Sequence, residues 1–190
     1  MQKIRIAAAA LALAGTALAA RAAPEAYELD STHTFPSFEV NHLGFSTMRG
    51  SFLSTSGTLT YDADKHTGSV EATINTASIS TGFGQRDNHL RSKDFFDVDK
   101  YPTMTFKADD FTVTADKATP VNGSLTLLGQ THPVSLSVQL TKCAMRMDKK
   151  YVCGAMVSGQ LKRSDWGMTM FTPFIGDDIK MQIEVEAMKK

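Results

Sequence analysis

Beyond residue 22 the chain has no apolar run of the ~20 residues that a membrane-spanning helix requires. It has no surplus of charge of either sign, with 20 Lys and Arg against 20 Asp and Glu. It has two cysteines, Cys143 and Cys153, and no C-x-x-C spacing, which argues against redox chemistry or a cysteine metal site. The five histidines, His33, His42, His66, His89 and His132, never fall in an H-x-H or H-E-x-x-H pattern. There is no G-x-S-x-G elbow and no glycine-rich phosphate loop. The acidic pairs Asp109–Asp110 and Asp177–Asp178 read as turn residues rather than paired acid–base groups. The expectation is therefore a non-enzyme with no catalytic residue, no metal and no cofactor.

What is present begins with a leader. "MQKIR" supplies two positive charges, "IAAAALALAGTALA" is a short alanine-rich apolar run, and "ALA" and "ARA" are small-x-small cleavage sites. That is the layout of a secretory signal peptide over residues 1–22, cut between Ala22 and Ala23, with Ala19 as the alternative site. Residues 23–190 then form one exported domain, and the periplasm of a Gram-negative bacterium is the expected compartment. Loss of Lys3, Arg5 and Arg21 leaves 17 basic against 20 acidic side chains, a net charge of −3. A mildly acidic protein has no electrostatic footprint for nucleic acid. In an oxidising compartment Cys143 and Cys153, ten residues apart around a polar "DKK", are expected to form a disulfide across a hairpin.

The mature chain alternates apolar and polar residues segment after segment. "HPVSLSVQL" places Val134, Leu136, Val138 and Leu140 on one side, and "IKMQIEVEA" does the same for Ile179, Met181, Ile183, Val185 and Ala187. "TMTFKADDFTV" alternates through Met104, Phe106 and Ala108 and resumes at Phe111 and Val113 after a shift of register. Eight or nine such segments with short turns mean an all-β antiparallel protein. The pattern alone fits a sandwich or a barrel. Turns this close in sequence favour a meander, and eight strands in a meander close into a barrel without edges.

One segment breaks the pattern. "TGFGQRDNHLRSKDFFDVDKYP", residues 81–102, is charged and carries leucine at helical spacing. It predicts a helix of about ten residues, capped by Ser80 or Thr81, with Asp87 paired to Arg91 on its surface and Pro102 opening the next strand. Phe83, Leu90, Phe95 and Phe96 supply its apolar part. The segment either plugs one end of the barrel or covers a mouth there. With 11 Phe and 10 Met in the chain, the barrel holds either packed side chains or a slim apolar ligand.

Four blocks in order carry a resemblance: "STHTFPSFEVNHLGFSTMRGSF", "RDNHLRSKDFFDVDKYPTMTF", "GSLTLLGQTHPVSLSV" and "RSDWGM…IGDDIKMQIEVEA". Together they resemble the YceI-like family from about Tyr27 to Ala187. The resemblance implies an eight-stranded antiparallel lipocalin-like barrel with one short helix covering its mouth. It further implies a periplasmic carrier for a long isoprenoid, a polyprenyl phosphate or an isoprenoid quinone, in an apolar tunnel. On this reading Phe83, Leu90, Phe95 and Phe96 cover the tail, while Arg86, His89 and Arg91 face the head group. His42, Phe45, Met48 and Arg49 belong to the same rim. Trp166, where phenylalanine is common, alters the pocket shape. Another amphiphile such as a fatty acid or fatty amide, a lipid-modifying enzyme, and a filled barrel with a structural or stress role are the rival readings. The expected partners are the lipid and, transiently, a membrane, for a monomer or homodimer.

Overall fold

The computed structural model describes residues 23–190; the leader assigned to residues 1–22 lies outside them. Eleven strand segments follow in order: β1 (Glu25–Leu29), β2 (Ser37–His42), β3 (Ser46–Phe52), β4 (Thr55–Asp62), β5 (Thr67–Asn75) and β6 (Ile79–Ser80), then β7 (Thr103–Thr112), β8 (Thr119–Leu127), β9 (Gln130–Met145), β10 (Tyr151–Lys162) and β11 (Ile175–Lys189). One helix, α1 (Gly84–Arg91), lies between β6 and β7.

These eleven segments make eight staves. β1 and β2 both pair antiparallel with β11, so they are one long strand broken at residues 30–36. β3 pairs with β2 and β4 with β1, which makes β3 and β4 a second broken strand. β5 pairs with β4 and β6 with β3, which makes a third. Its break is a short 3₁₀ turn, Thr76–Ser78, started by Asn75, whose Oδ1 accepts the Ala77 N–H at 2.9 Å. From there β5, β7, β8, β9, β10 and β11 pair in sequence. β1 joins β11 through Tyr27↔Lys189, Glu28↔Met188 and Leu29↔Ala187, and the ring closes. The eight-stranded barrel favoured by the short turns and implied by the family resemblance is the observed fold.

The shift of register expected in β7 lies between Ala108, opposite Val70, and Phe111, opposite Gly68. One extra residue re-aims the strand so that both apolar runs face inward. Asp109 and Asp110 occupy this irregularity inside β7, with Asp110 at φ 53°, and Asp177 and Asp178 lie inside β11. Both acidic pairs are strand residues, a correction to the turn assignment. Period-two reading misplaces them because a bulge mimics a turn locally.

Cys143 and Cys153 sit opposite each other on β9 and β10 and are joined as a disulfide, as expected. Closing so short a loop stabilises the fold by roughly 2–3 kcal/mol on the loop-entropy model. The β9–β10 hairpin is also tied to the closing strand. Arg146 Nη1 donates to Asp30 Oδ2 at 2.9 Å and to Glu186 Oε2 at 3.0 Å, which bridges the β1–β2 break and β11. Asp30 is buried. Burial pushes its carboxyl upward, but hydrogen bonds from Thr32 and Arg146 outweigh this and hold it well below the usual range. A carboxyl depressed by folding contributes stability above its unfolded value, near pH ~3.9, and loses it as pH falls toward the folded value. Denaturant titrations should show unfolding free energy dropping below about pH 4. The Asp30→Asn variant should be less stable at pH 7 and show a shallower drop in acid.

Candidate functional site

The inward faces of the staves do not meet at the centre. They enclose a cavity of about 320 Å³, at the lower end of the range for small-molecule sites. Its lining is almost wholly apolar. The alternating residues of β9 (Val134, Leu136, Val138, Leu140) form one wall, and those of β11 from Ile175 to Ala187 form another. Twelve steps of strand span roughly 40 Å, so the cavity is long for its volume and therefore thin. Two glycines make this lining possible. A Cβ on Gly50 would come within 2.5 Å of the Phe38 ring, and one on Gly68 within 2.9 Å of the Phe111 ring. Each phenylalanine ring occupies the space that a Cβ on its cross-strand glycine would need, and both rings line the cavity.

The segment 81–102 closes one end. Leu90, Phe95 and Phe96 line the cavity and pack with Phe52, Ile74, Ile79 and Met104. Phe96 meets Phe52 edge-on with centroids 5.4 Å apart. The segment is thus plug and cover together, because the rings that shut the cavity are also core. α1 itself is eight residues long and starts at Gly84, with Phe83 at the N-cap and no side-chain cap bond. Ser80 and Thr81 are not its caps. Instead the Thr81 N–H and Oγ1 donate to Asp87 Oδ1 at 2.9 and 2.5 Å.

The charged residues of α1 hold it to the barrel. Arg86 donates to Thr81 Oγ1 and to the Thr81 carbonyl at 2.7 and 2.8 Å. Arg91 donates to the carbonyls of Ala77 and Ile79, both at 2.8 Å. The surface pair Asp87–Arg91 expected from i,i+4 spacing is replaced by these bonds, since both side chains find backbone partners across the β6 segment. His89 Nε2 sits 2.8 Å from Asp94 Oδ2. Arg86, His89 and Arg91 do not line the cavity, and neither does Phe83, which is exposed under the Arg86 guanidinium.

The other sequence candidates also fall outside the lining. His42 and Met48 are on β2 and β3, and Arg49 is paired with Glu39 Oε1 at 2.7 Å. Phe45 is 89% exposed at the β2–β3 turn. Trp166 is buried in the same cluster as the cover, donates Nε1–H to the Leu125 carbonyl at 3.2 Å and stands edge-on to His132. It fills the end of the barrel rather than shaping the cavity wall.

The polar lining was not visible in the sequence. Arg163, 4% exposed, donates to the carbonyls of Gly176, Met168, Met170 and Ile175 at 2.8–3.0 Å. Burial lowers its pKa, yet an arginine stays cationic at neutral pH. Tyr27 and Tyr61 also line the cavity. Burial and a hydrogen bond to Glu25 push Tyr27 up to about 12, and burial raises Tyr61, so both phenols are neutral. Thr55 is buried and its Oγ1 has no hydrogen-bond partner. Chemically, the arrangement is a slim apolar space whose arginine and tyrosines are already bonded within the protein; among the described residues its lining pairs no nucleophile with a base.

A closed eight-stranded meander around a thin, apolar cavity defines a lipocalin-like barrel. The chain belongs to the YceI-like family, whose YceI-like domain matches residues 27–187. A UPF0312 protein of Pseudomonas aeruginosa is 35% identical over 188 residues, covering 95% of this chain and 93% of its own. The YCEI protein of Campylobacter jejuni superposes with a TM-score of 0.69 at 32% identity, over 79% of this chain and 90% of its own. A domain of Saccharophagus degradans described as polyisoprenoid-binding superposes with a TM-score of 0.64 at 17% identity, over 87% of this chain and 99% of its own, and shows the shared fold.

Two substitutions test the site. Thr55→Val exchanges an unpartnered buried hydroxyl for a methyl of the same shape and should raise the stability of lipid-free protein by about 1 kcal/mol in urea. A loss of stability instead would mean that the hydroxyl is paired. Phe96→Ala should cost about 3–5 kcal/mol, because it opens a hole in the core, and should also loosen any bound chain. Retention of an apolar probe at wild-type strength in the folded variant would show that Phe96 is core alone.

Proposed function

We propose that this protein is exported to the periplasm, where it binds one isoprenoid lipid, a polyprenyl phosphate or an isoprenoid quinone, with the tail in the barrel cavity. The observation that carries the reading is the cavity itself, thin, apolar and lined from end to end by the inward faces of the staves. Each methylene moved from water into such a space contributes about 0.8 kcal/mol. A prenyl tail therefore binds by length and dryness, with no chemistry required. The description of the Saccharophagus domain as polyisoprenoid-binding supports the same choice of ligand. No helix among the described residues is long and apolar enough to cross a membrane. The disulfide fits an oxidising compartment.

The second reading is a shorter amphiphile, such as a fatty acid or fatty amide. It is favoured by the modest cavity volume of about 320 Å³ and by Arg163 in the lining.

Mass spectrometry of a solvent extract from protein purified out of the periplasm, beside its native mass, tests both. A stoichiometric prenyl species is the expected result and identifies the head group. A stoichiometric fatty acid or amide moves the assignment to the second reading. An empty extract from folded protein that gains no thermal stability with prenyl lipid would overturn ligand binding, since a ligand selective for the native state must raise apparent stability.

A further inference from the structure

The end of the barrel that carries α1 bears a second feature that the cavity does not use. The β2–β3 turn and the connection between β10 and β11 meet there. The Leu43 N–H donates to the Phe174 carbonyl at 2.9 Å, and His42 pairs with Ile175. Four large apolar side chains point outward from these two segments: Leu43 and Phe45 from the turn, Phe171 and Phe174 from the connection. Phe45 is 89% exposed and Phe174 69%. Leu43 and Phe171 both hold left-handed backbone, at φ 55° and 62°, a conformation that non-glycine residues rarely adopt.

Charge is missing from the same two segments. Residues 43–48 and 166–176 contain no Asp, Glu, Lys or Arg, in a chain that is 21% charged. Uncharged loops tipped with exposed phenylalanine lose little on entering a bilayer interface, whereas a desolvated charge would be costly there.

The patch is also continuous with the cavity cover. Phe171 lies 5.9 Å from the His89 ring and 6.3 Å from the Phe95 ring, and Phe95 lines the cavity. An apolar track therefore runs from the exposed tip, through Phe171, to the rings that shut the tunnel. A self-association face has no need of such a track, but a lipid passing from a bilayer into the barrel does.

We propose that this tip, built from Leu43, Phe45, Phe171 and Phe174, docks on a lipid bilayer and aligns the covered end of the cavity with it. The inference rests on the lipid-binding reading and names the surface through which the ligand is exchanged. The opposite end of the barrel supplies an internal control. There the β9–β10 hairpin exposes Met145 and Met147 beside the C-terminal part of β11.

The test is co-sedimentation of the mature protein with vesicles of phosphatidylethanolamine and phosphatidylglycerol. The variants are Leu43→Asn with Phe174→Ser together, and Met147→Ser. Asparagine suits the left-handed position. The expected result is vesicle binding by the wild type and by Met147→Ser, weakened roughly tenfold or more in the tip variant. Circular dichroism should show the same strand content in all three.

The proposal is overturned if the wild type stays in the supernatant, if the tip variant sediments like the wild type, or if Met147→Ser is the variant that fails. It is also overturned if native mass shows a wild-type dimer that the tip variant splits without vesicle binding, since the face would then serve a second copy of this chain. Solvent extracts of the same preparations separate the two readings. Prenyl lipid retained in protein that ignores vesicles removes the docking surface and leaves the cavity assignment standing. Vesicle binding by a protein whose cavity takes up no prenyl chain removes the cavity assignment, and with it the exchange role of the tip.

Discussion

The structure depends on closure of the sheet between β1 and β11. A sheet that closes has no edge to protect, but it must supply one inward residue at every second position around the whole ring. Three register positions make the final contact, Tyr27↔Lys189, Glu28↔Met188 and Leu29↔Ala187, and β2 extends it along β11. Arg146 then holds the seam by reaching Asp30 and Glu186 together. With the seam open, the apolar inner face would be exposed to water; with it shut, eight staves enclose an elongated apolar space.

Polar and apolar interactions divide the work at the covered end. The rings of Phe95 and Phe96 face the cavity, while the charged side chains of α1 bind backbone carbonyls of the β5–β6 strand from the other side. The helix has little apolar area of its own and is held by those hydrogen bonds, while the rings that follow it anchor the cover in the core. Arg163 does the same for the β10–β11 connection, gathering the carbonyls of Met168, Met170, Ile175 and Gly176. The loops so fixed carry Phe171 and Phe174 outward. The interior of the cavity and the exposed tip are thereby built from adjacent turns of the same chain.

Much of the fold was legible because the alternation is clean. Val134 to Leu140 and Ile179 to Ala187 point inward as their period implies, and the register shift in β7 is where Ala108 and Phe111 require it. The cysteine pair was legible from spacing and compartment. The site was legible in part: Leu90, Phe95 and Phe96 line the cavity, yet the charged and rim residues chosen beside them, Arg86, His89, Arg91, His42, Met48 and Arg49, do not. A charged residue in a short helix looks the same in sequence whether it faces a ligand or a backbone carbonyl. Thr55 and Arg163 were missed because nothing local distinguishes a threonine on a cavity wall from one on a wet face.

By itself the sequence determined the all-β class, the inward faces of the cleanly alternating strands and the interruption by a helix, because these follow from a period of two and its breaks; that eleven segments join into eight staves was decided by the pairing. Tertiary structure alone decided which faces enclose empty space, since that depends on ring closure and on where glycines leave room for the Phe38 and Phe111 rings. It also decided that the arginines of α1 are tethers and that Leu43 and Phe174, far apart in the chain, form one exposed tip. Contacts between distant residues depend on shape, and no local pattern of residues encodes them.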